Sequence, residues 1–155
     1  MKTHSCALPV EATSFLSLKS LRMMMRLSLG VYFAYMGLSK LLAIEEFMSA
    51  LHGYGVPSPL PLNLIAIFIP ALEVVCGVAL GIHRFWRGAF FILIPLMLLF
   101  TGLILWRMNS IHILDNLPRC SVSFDCGCGN GIINACRKIV LNSLILIAMG
   151  GALKK

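Results

Sequence analysis

Apolar residues fall into four stretches long enough to cross a bilayer, Arg22–Ile44, Leu62–Ile82, Gly88–Met108 and Ile132–Leu153, with polar residues gathered between them. A hydrocarbon core takes about 20 residues of helix, so each stretch predicts one span. The fold class expected is all-α: a polytopic membrane protein, a four-transmembrane-helix bundle occupying residues 22–155 as one domain. Residues 1–21 lack the uncharged apolar run of a signal peptide and are read as a cytoplasmic or interfacial segment. Within and just after it, Phe15, Leu16, Leu18, Leu21 and Met25 recur at helical spacing, which fits an interfacial helix or the frayed start of the first span. Tyr54–Pro61, with prolines at 57, 59 and 61, reads as a stiff connector, and residues 109–131 as a polar loop. No tandem repeat is visible.

Composition supports the membrane reading. The chain is 59% hydrophobic and 12% charged, with mean hydropathy +0.90, more apolar surface than one soluble core of this length hides. Its net charge of +7 follows topology rather than nucleic acid. Lys2, Lys19, Arg22, Arg26, Arg84, Arg87, Lys154 and Lys155 lie on the side of both termini. Lys40, Arg107, Arg119, Arg137 and Lys138 lie on the other, diluted by Glu45, Glu46, Asp115 and Asp125. Eight basic residues against five place both termini in the cytoplasm, in an inner (cytoplasmic) membrane.

Charges inside the spans are the first chemical signal. Arg26, Gly30, Phe33, Gly37 and Lys40 share one face of the first helix, and Ala66, Pro70, Glu73 and Gly77 share a stripe of the second. Glu73 sits near mid-bilayer, within reach of both Arg26 and Lys40, and an unpaired charge there costs several kcal/mol. An ion pair is expected, with Arg26 the closer in depth. The pair either fixes packing or marks a proton or quinone site. Pro70 and Pro95 fall inside spans; Trp86 and Trp106 near span ends read as anchors.

The second signal is a cluster of thiols. Cys120, Cys126, Cys128 and Cys136 occupy one short segment on the side assigned to the periplasm, where disulfides persist. Cys6 and Cys76 lie away from it and read as structural or incidental. Cys126 and Cys128 precede a helix expected near Ile132, and Arg137 and Lys138 within that helix are candidate thiol activators. A bridge between residues two apart is strained and labile, which makes Cys126 and Cys128 the candidate exchanging pair. Cys120 and Cys136 then resolve that pair or brace the loop, although four cysteines allow three pairings. Structural disulfides are the alternative use. Soft-metal binding is a lesser one, because the spacing lacks paired C-x2-4-C knuckles. The first external connector, Ile44–Leu62, has no cysteine, so any relay lies within the one loop. His112, His52 and His83 read as loop or interfacial residues. No phosphate loop, Ser/His/Asp set or dinucleotide fingerprint occurs.

In order and spacing, Arg26–Gly30, Tyr35–Lys40, Gly53–Pro57, Pro70–Gly77 and Gly81 resemble DoxX-type membrane proteins. Asp125-Cys126-Gly127-Cys128-Gly129 before a last span with Leu141-Asn142 narrows the resemblance to the MauE branch, named for methylamine utilisation. The likeness covers residues 22–150. The chain departs at Gly129-Asn130-Gly131, where a phenylalanine usually follows the Cys-x-Cys, and at Leu141, where a basic residue often precedes the asparagine. The resemblance implies a four-helix bundle serving periplasmic redox maturation beside a thioredoxin-like partner, with DoxX relatives linked to quinone-coupled sulfur oxidation. The expected function is therefore thiol-disulfide exchange between a periplasmic thioredoxin-like protein or redox-enzyme subunit and the quinone pool. No covalently bound cofactor and no nucleic acid are expected. The rival is a non-catalytic subunit or assembly factor of a larger membrane complex.

Overall fold

The computed structural model describes residues 10–55, 60–82, 84–115, 118–125 and 132–153. Helix α1 (Val10–Leu42) turns into the short α2 (Ile44–Gly53), then α3 (Leu60–Gly81) and α4 (Trp86–Asp115) follow. A 3-10 turn at Arg119–Ser121 leads to strand β1 (Ser123–Asp125), which pairs antiparallel with β2 (Ile132–Asn134) before α5 (Ala135–Leu153). Among the described residues three helices are long and apolar enough to span, α3 from Pro61, α4 and α5, and the bent pair α1–α2 makes a fourth. The chain is an all-α, multi-pass membrane protein. Pro70 and Pro95 stand inside α3 and α4.

Glycine sets the closest helix contact. A Cβ at Gly30 would lie 2.6 Å from the Gly77 carbonyl oxygen, and one at Gly37 2.6 Å from that of Pro70. The backbones of α1 and α3 therefore touch, as small residues allow in lipid, where packing rather than hydrophobicity drives helix association. The same pairs fix the helices as antiparallel. Around this contact Leu29, Phe33, Cys76, Leu80, Phe90, Leu93 and Met149 form the main buried core. Side chains that face outward, such as Val31, Phe68, Phe91 and Ile147, are apolar and exposed, as a lipid-facing surface requires.

Three elements differ from expectation, the first being α4, which runs on to Asp115, seven residues into the segment expected as a loop from 109. Ile44–Gly53, read as the start of a connector, is a helix bent by 92° from Ser20–Leu42. Its acids Glu45 and Glu46 suit a helix N-terminus, His52 lies in its last turn, and Gly55 takes a left-handed φ of 82° just beyond it. Its apolar side, Phe47 and Leu51, buries against Leu62 and Ala66 of α3. The last helix begins at Ala135 rather than Ile132, because residues 132–134 are taken up in strand pairing. Asn134 then caps it: its side-chain oxygen accepts the Arg137 amide N–H at 3.3 Å.

Candidate functional site

The thiol segment is built as a clamped hairpin. Cys120 and Cys136 form a disulfide across sixteen residues. Inside that bridge Ser123 pairs with Asn134, Phe124 with Ile133 and Asp125 with Ile132. The Asn134 side-chain amide donates to the Cys120 carbonyl, and the Ala135 amide N–H donates to the Val122 carbonyl at 3.1 Å. The turn, the hairpin base and the start of α5 are thus tied three ways. Cys126 and Cys128, the expected exchanging pair, lie outside the described residues, in the six-residue connection between β1 and β2.

The hairpin rests on the bundle through its apolar side. Val122 is buried against Ile104, Met108 and Ala135. Phe124 meets the ring of Tyr54, beyond the end of α2, edge-on at 6.3 Å, and packs with Ile133 against Met36 of α1.

Below Met36, one turn along α1, lies the buried ion pair. Lys40 Nζ donates to both Glu73 carboxylate oxygens at 2.7 Å, and both residues are at most 4% exposed. The pairing expected with Arg26 does not form, for a reason of direction. Interpolating between Gly30–Gly77 and Gly37–Pro70 puts Glu73 level with about Ala34. Lys40 starts about 9 Å nearer the α2 end and Arg26 about 12 Å nearer the other. Side chains lean toward their own helix N-terminus. In this antiparallel pair Lys40 and Glu73 therefore lean toward each other, while Glu73 and Arg26 lean apart. Arg26 instead lays its guanidinium 3.8 Å from the Trp86 ring centroid.

Lys40 also lies near two aromatic faces, 4.6 Å from the Phe100 centroid and 5.5 Å from that of Phe47. Phe47 belongs to α2, so the bent helix roofs the pair. A cavity of about 30 Å³ beside it is lined by Tyr32, Met36, Phe100, Lys138 and Asn142 among others. That volume admits about one or two waters. Asn142 closes it by donating to the Thr101 hydroxyl at 3.0 Å, and that hydroxyl donates to the Met97 carbonyl at 2.7 Å.

Of the two candidate thiol activators, Arg137 is exposed at the start of α5 and Lys138 is buried on the cavity wall. The inward role of Lys138, Asn142 and Thr101 was not anticipated. A signal for two of them existed: Ala135, Lys138, Asn142, Met149 and Ala152 are the buried positions of α5 and recur at three, four, seven and three residues, one helical stripe. Cys76 is a buried free thiol in the core, and Cys6 lies outside the described residues. The Cys120–Cys136 bridge withholds two thiols from any four-thiolate metal site. Among the described residues no three His, Cys, Asp or Glu side chains gather as metal ligands.

Compared with known proteins, residues 18–154 match the family model described as methylamine utilisation protein MauE. No curated protein and no solved structure matches the chain.

Proposed function

The chain belongs to the methylamine utilisation protein MauE family, and from that premise we propose that its hairpin exchanges disulfides with a thioredoxin-like protein or a redox-enzyme subunit. The exchange takes place at the periplasmic face of the cytoplasmic membrane and serves the maturation of exported redox proteins. One observation supports the reading above others: Cys120 and Cys136 bond to each other at the base of the hairpin, which leaves Cys126 and Cys128 together in its connecting segment. The first pair braces and the second exchanges.

In one turnover a partner thiolate attacks the Cys126–Cys128 disulfide and forms a mixed disulfide with one of these sulfurs, releasing the other as thiolate. The partner's second thiol then attacks the mixed bond. The partner leaves oxidised, and Cys126 and Cys128 have gained two electrons and two protons. Arg137, exposed at the start of α5, is the candidate to favour the thiolate leaving group. A membrane quinone, taking up those two electrons and two protons to become the quinol, restores the Cys126–Cys128 disulfide and completes the turnover. The cavity beside Lys40 and Glu73, at about 30 Å³, is too small for a quinone ring, so the ion pair serves packing and the quinone is reached elsewhere.

The test uses the purified, oxidised protein and a reduced thioredoxin as probe. A reduced thioredoxin that lacks its second cysteine should be trapped in a mixed disulfide with the oxidised protein, and Cys126→Ser/Cys128→Ser should abolish exchange. Exchange that persists in the double variant, or full protection of residues 126 and 128 from alkylation after reduction, overturns the proposal and leaves a structural subunit as the reading.

A further inference from the structure

Arginines crowd the bundle end opposite the hairpin. Arg22 and Arg26 stand one turn apart on α1, and Arg87 opens α4 beside Trp86. Arg26 and Arg87 hold their guanidinium centres 3.8 and 5.2 Å from the centroid of the same Trp86 ring. Trp86 is fixed in turn by an edge-on contact with Phe90 at 6.1 Å and by the core behind it. Two cations are thereby held together by one rigid aromatic. The third, Arg22, precedes Arg26 by four residues of α1 and so shares its face.

Nothing among the described residues neutralises them. Glu73 is bound to Lys40, and Glu45, Glu46 and Asp115 lie at the hairpin end. Arg26 Nε is buried and without an acceptor, a costly state for a charged donor. The start of α4 adds donors of its own. The Ala89 N–H bonds back to Phe85, whereas the amides of the first turn before it have no acceptor within the helix. A side chain at Gly88 would meet nothing within 4 Å, so the approach is open. Apolar side chains flank it: Met23, Leu27 and Phe85 are all more than half exposed.

We propose that Arg22, Arg26, Arg87 and the first turn of α4 bind the phosphate of an anionic phospholipid, whose acyl chains lie along Met23, Leu27 and Phe85. The guanidinium groups supply paired donors matched to phosphate oxygens. The apolar flank selects a lipid over a free anion. Trp86 sets the depth, as an interfacial aromatic does.

Native mass spectrometry of the protein in neutral detergent tests this, with phosphatidylglycerol and phosphatidylcholine of identical acyl chains as probes. The wild type should retain phosphatidylglycerol at least about tenfold more tightly, since each basic residue near an anionic surface adds about 1 kcal/mol. Arg22→Gln/Arg87→Gln should lose most of that preference, and Arg107→Gln/Arg119→Gln, at the other end, should keep it. Should the double variant fail to accumulate, Arg87→Gln, at an exposed position, should show a partial loss. Equal retention of the two lipids, or unchanged preference in the Arg22 and Arg87 variants, overturns the site. Displacement of the lipid by equimolar inorganic phosphate overturns the lipid assignment.

Discussion

Lys40 and Glu73 are joined by two 2.7 Å hydrogen bonds from one ammonium to both oxygens of one carboxylate, across the glycine-lined contact of α1 and α3. Their partnership follows from the lean of side chains in antiparallel helices. Depth counted from the sequence alone points to Arg26, whereas the register of the two helices puts Lys40 nearer to Glu73. Because both groups are buried, each depends on the other for neutralisation.

Glu73→Gln and Lys40→Met should each destabilise the protein by about 3–5 kcal/mol, since each leaves an unmatched buried group. Lys40→Met/Glu73→Leu should recover most of the loss. Arg26→Gln, which touches neither residue, should cost far less. Unfolding in detergent, followed by circular dichroism, measures all four. Additive losses in the double variant would contradict the pairing.

The glycines of the α1–α3 contact should differ from those facing open space. Gly37→Ala and Gly77→Ala meet backbone atoms at 2.6 Å and should cost about 1–3 kcal/mol each. Gly88→Ala and Gly102→Ala meet nothing within 4 Å and should stay within about 0.5 kcal/mol of the wild type. Melting temperatures of the four variants in one detergent would reveal the split, and similar shifts across all four would refute it.

Cutting the brace should loosen the hairpin while sparing the spans. Cys120→Ser removes the bridge to Cys136 and should cost about 2–4 kcal/mol. Asn134→Ala, which removes a helix cap and the bond to the Cys120 carbonyl, should act in the same direction by about 0.5–2 kcal/mol. Hydrogen exchange should quicken in residues 123–125 and 132–134 and stay slow in α3 and α4. A uniform rise along the chain would mean that the bridge supports the whole bundle.

The spans were legible because apolar length reports them directly, and the faces carrying Gly30, Gly37, Pro70 and Gly77 because helical spacing lines up small residues. Helix α2 escaped notice: ten residues holding two acids, next to a proline-rich segment, resemble a connector. Only Phe47 and Leu51, one turn apart, betray its buried side. Strands of three residues are too short for alternation to register, which hid the hairpin. The Cys120–Cys136 pairing was one of three left open by cysteine counting. Lys138 was read as a candidate thiol activator because it lies early in the helix that follows Cys126 and Cys128, yet its place in that helix turns it onto the inward stripe with Asn142.

The mutual dependence of Lys40 and Glu73 also bears on how the protein enters the membrane. The α1–α2 unit carries Arg22, Arg26 and Lys40 along with Glu45 and Glu46 and bends sharply at its end, which makes it a poor candidate for entering lipid alone. Lys40 lies in the last turn of α1, and an unpaired lysine in a span costs up to about 2.5–3.5 kcal/mol on insertion, the most at the helix centre. The anion that cancels Lys40 emerges from the ribosome thirty-three residues later. During synthesis, α1 is therefore expected to settle into the bilayer together with α3, with the glycine-lined pair rather than the single helix as the unit of insertion.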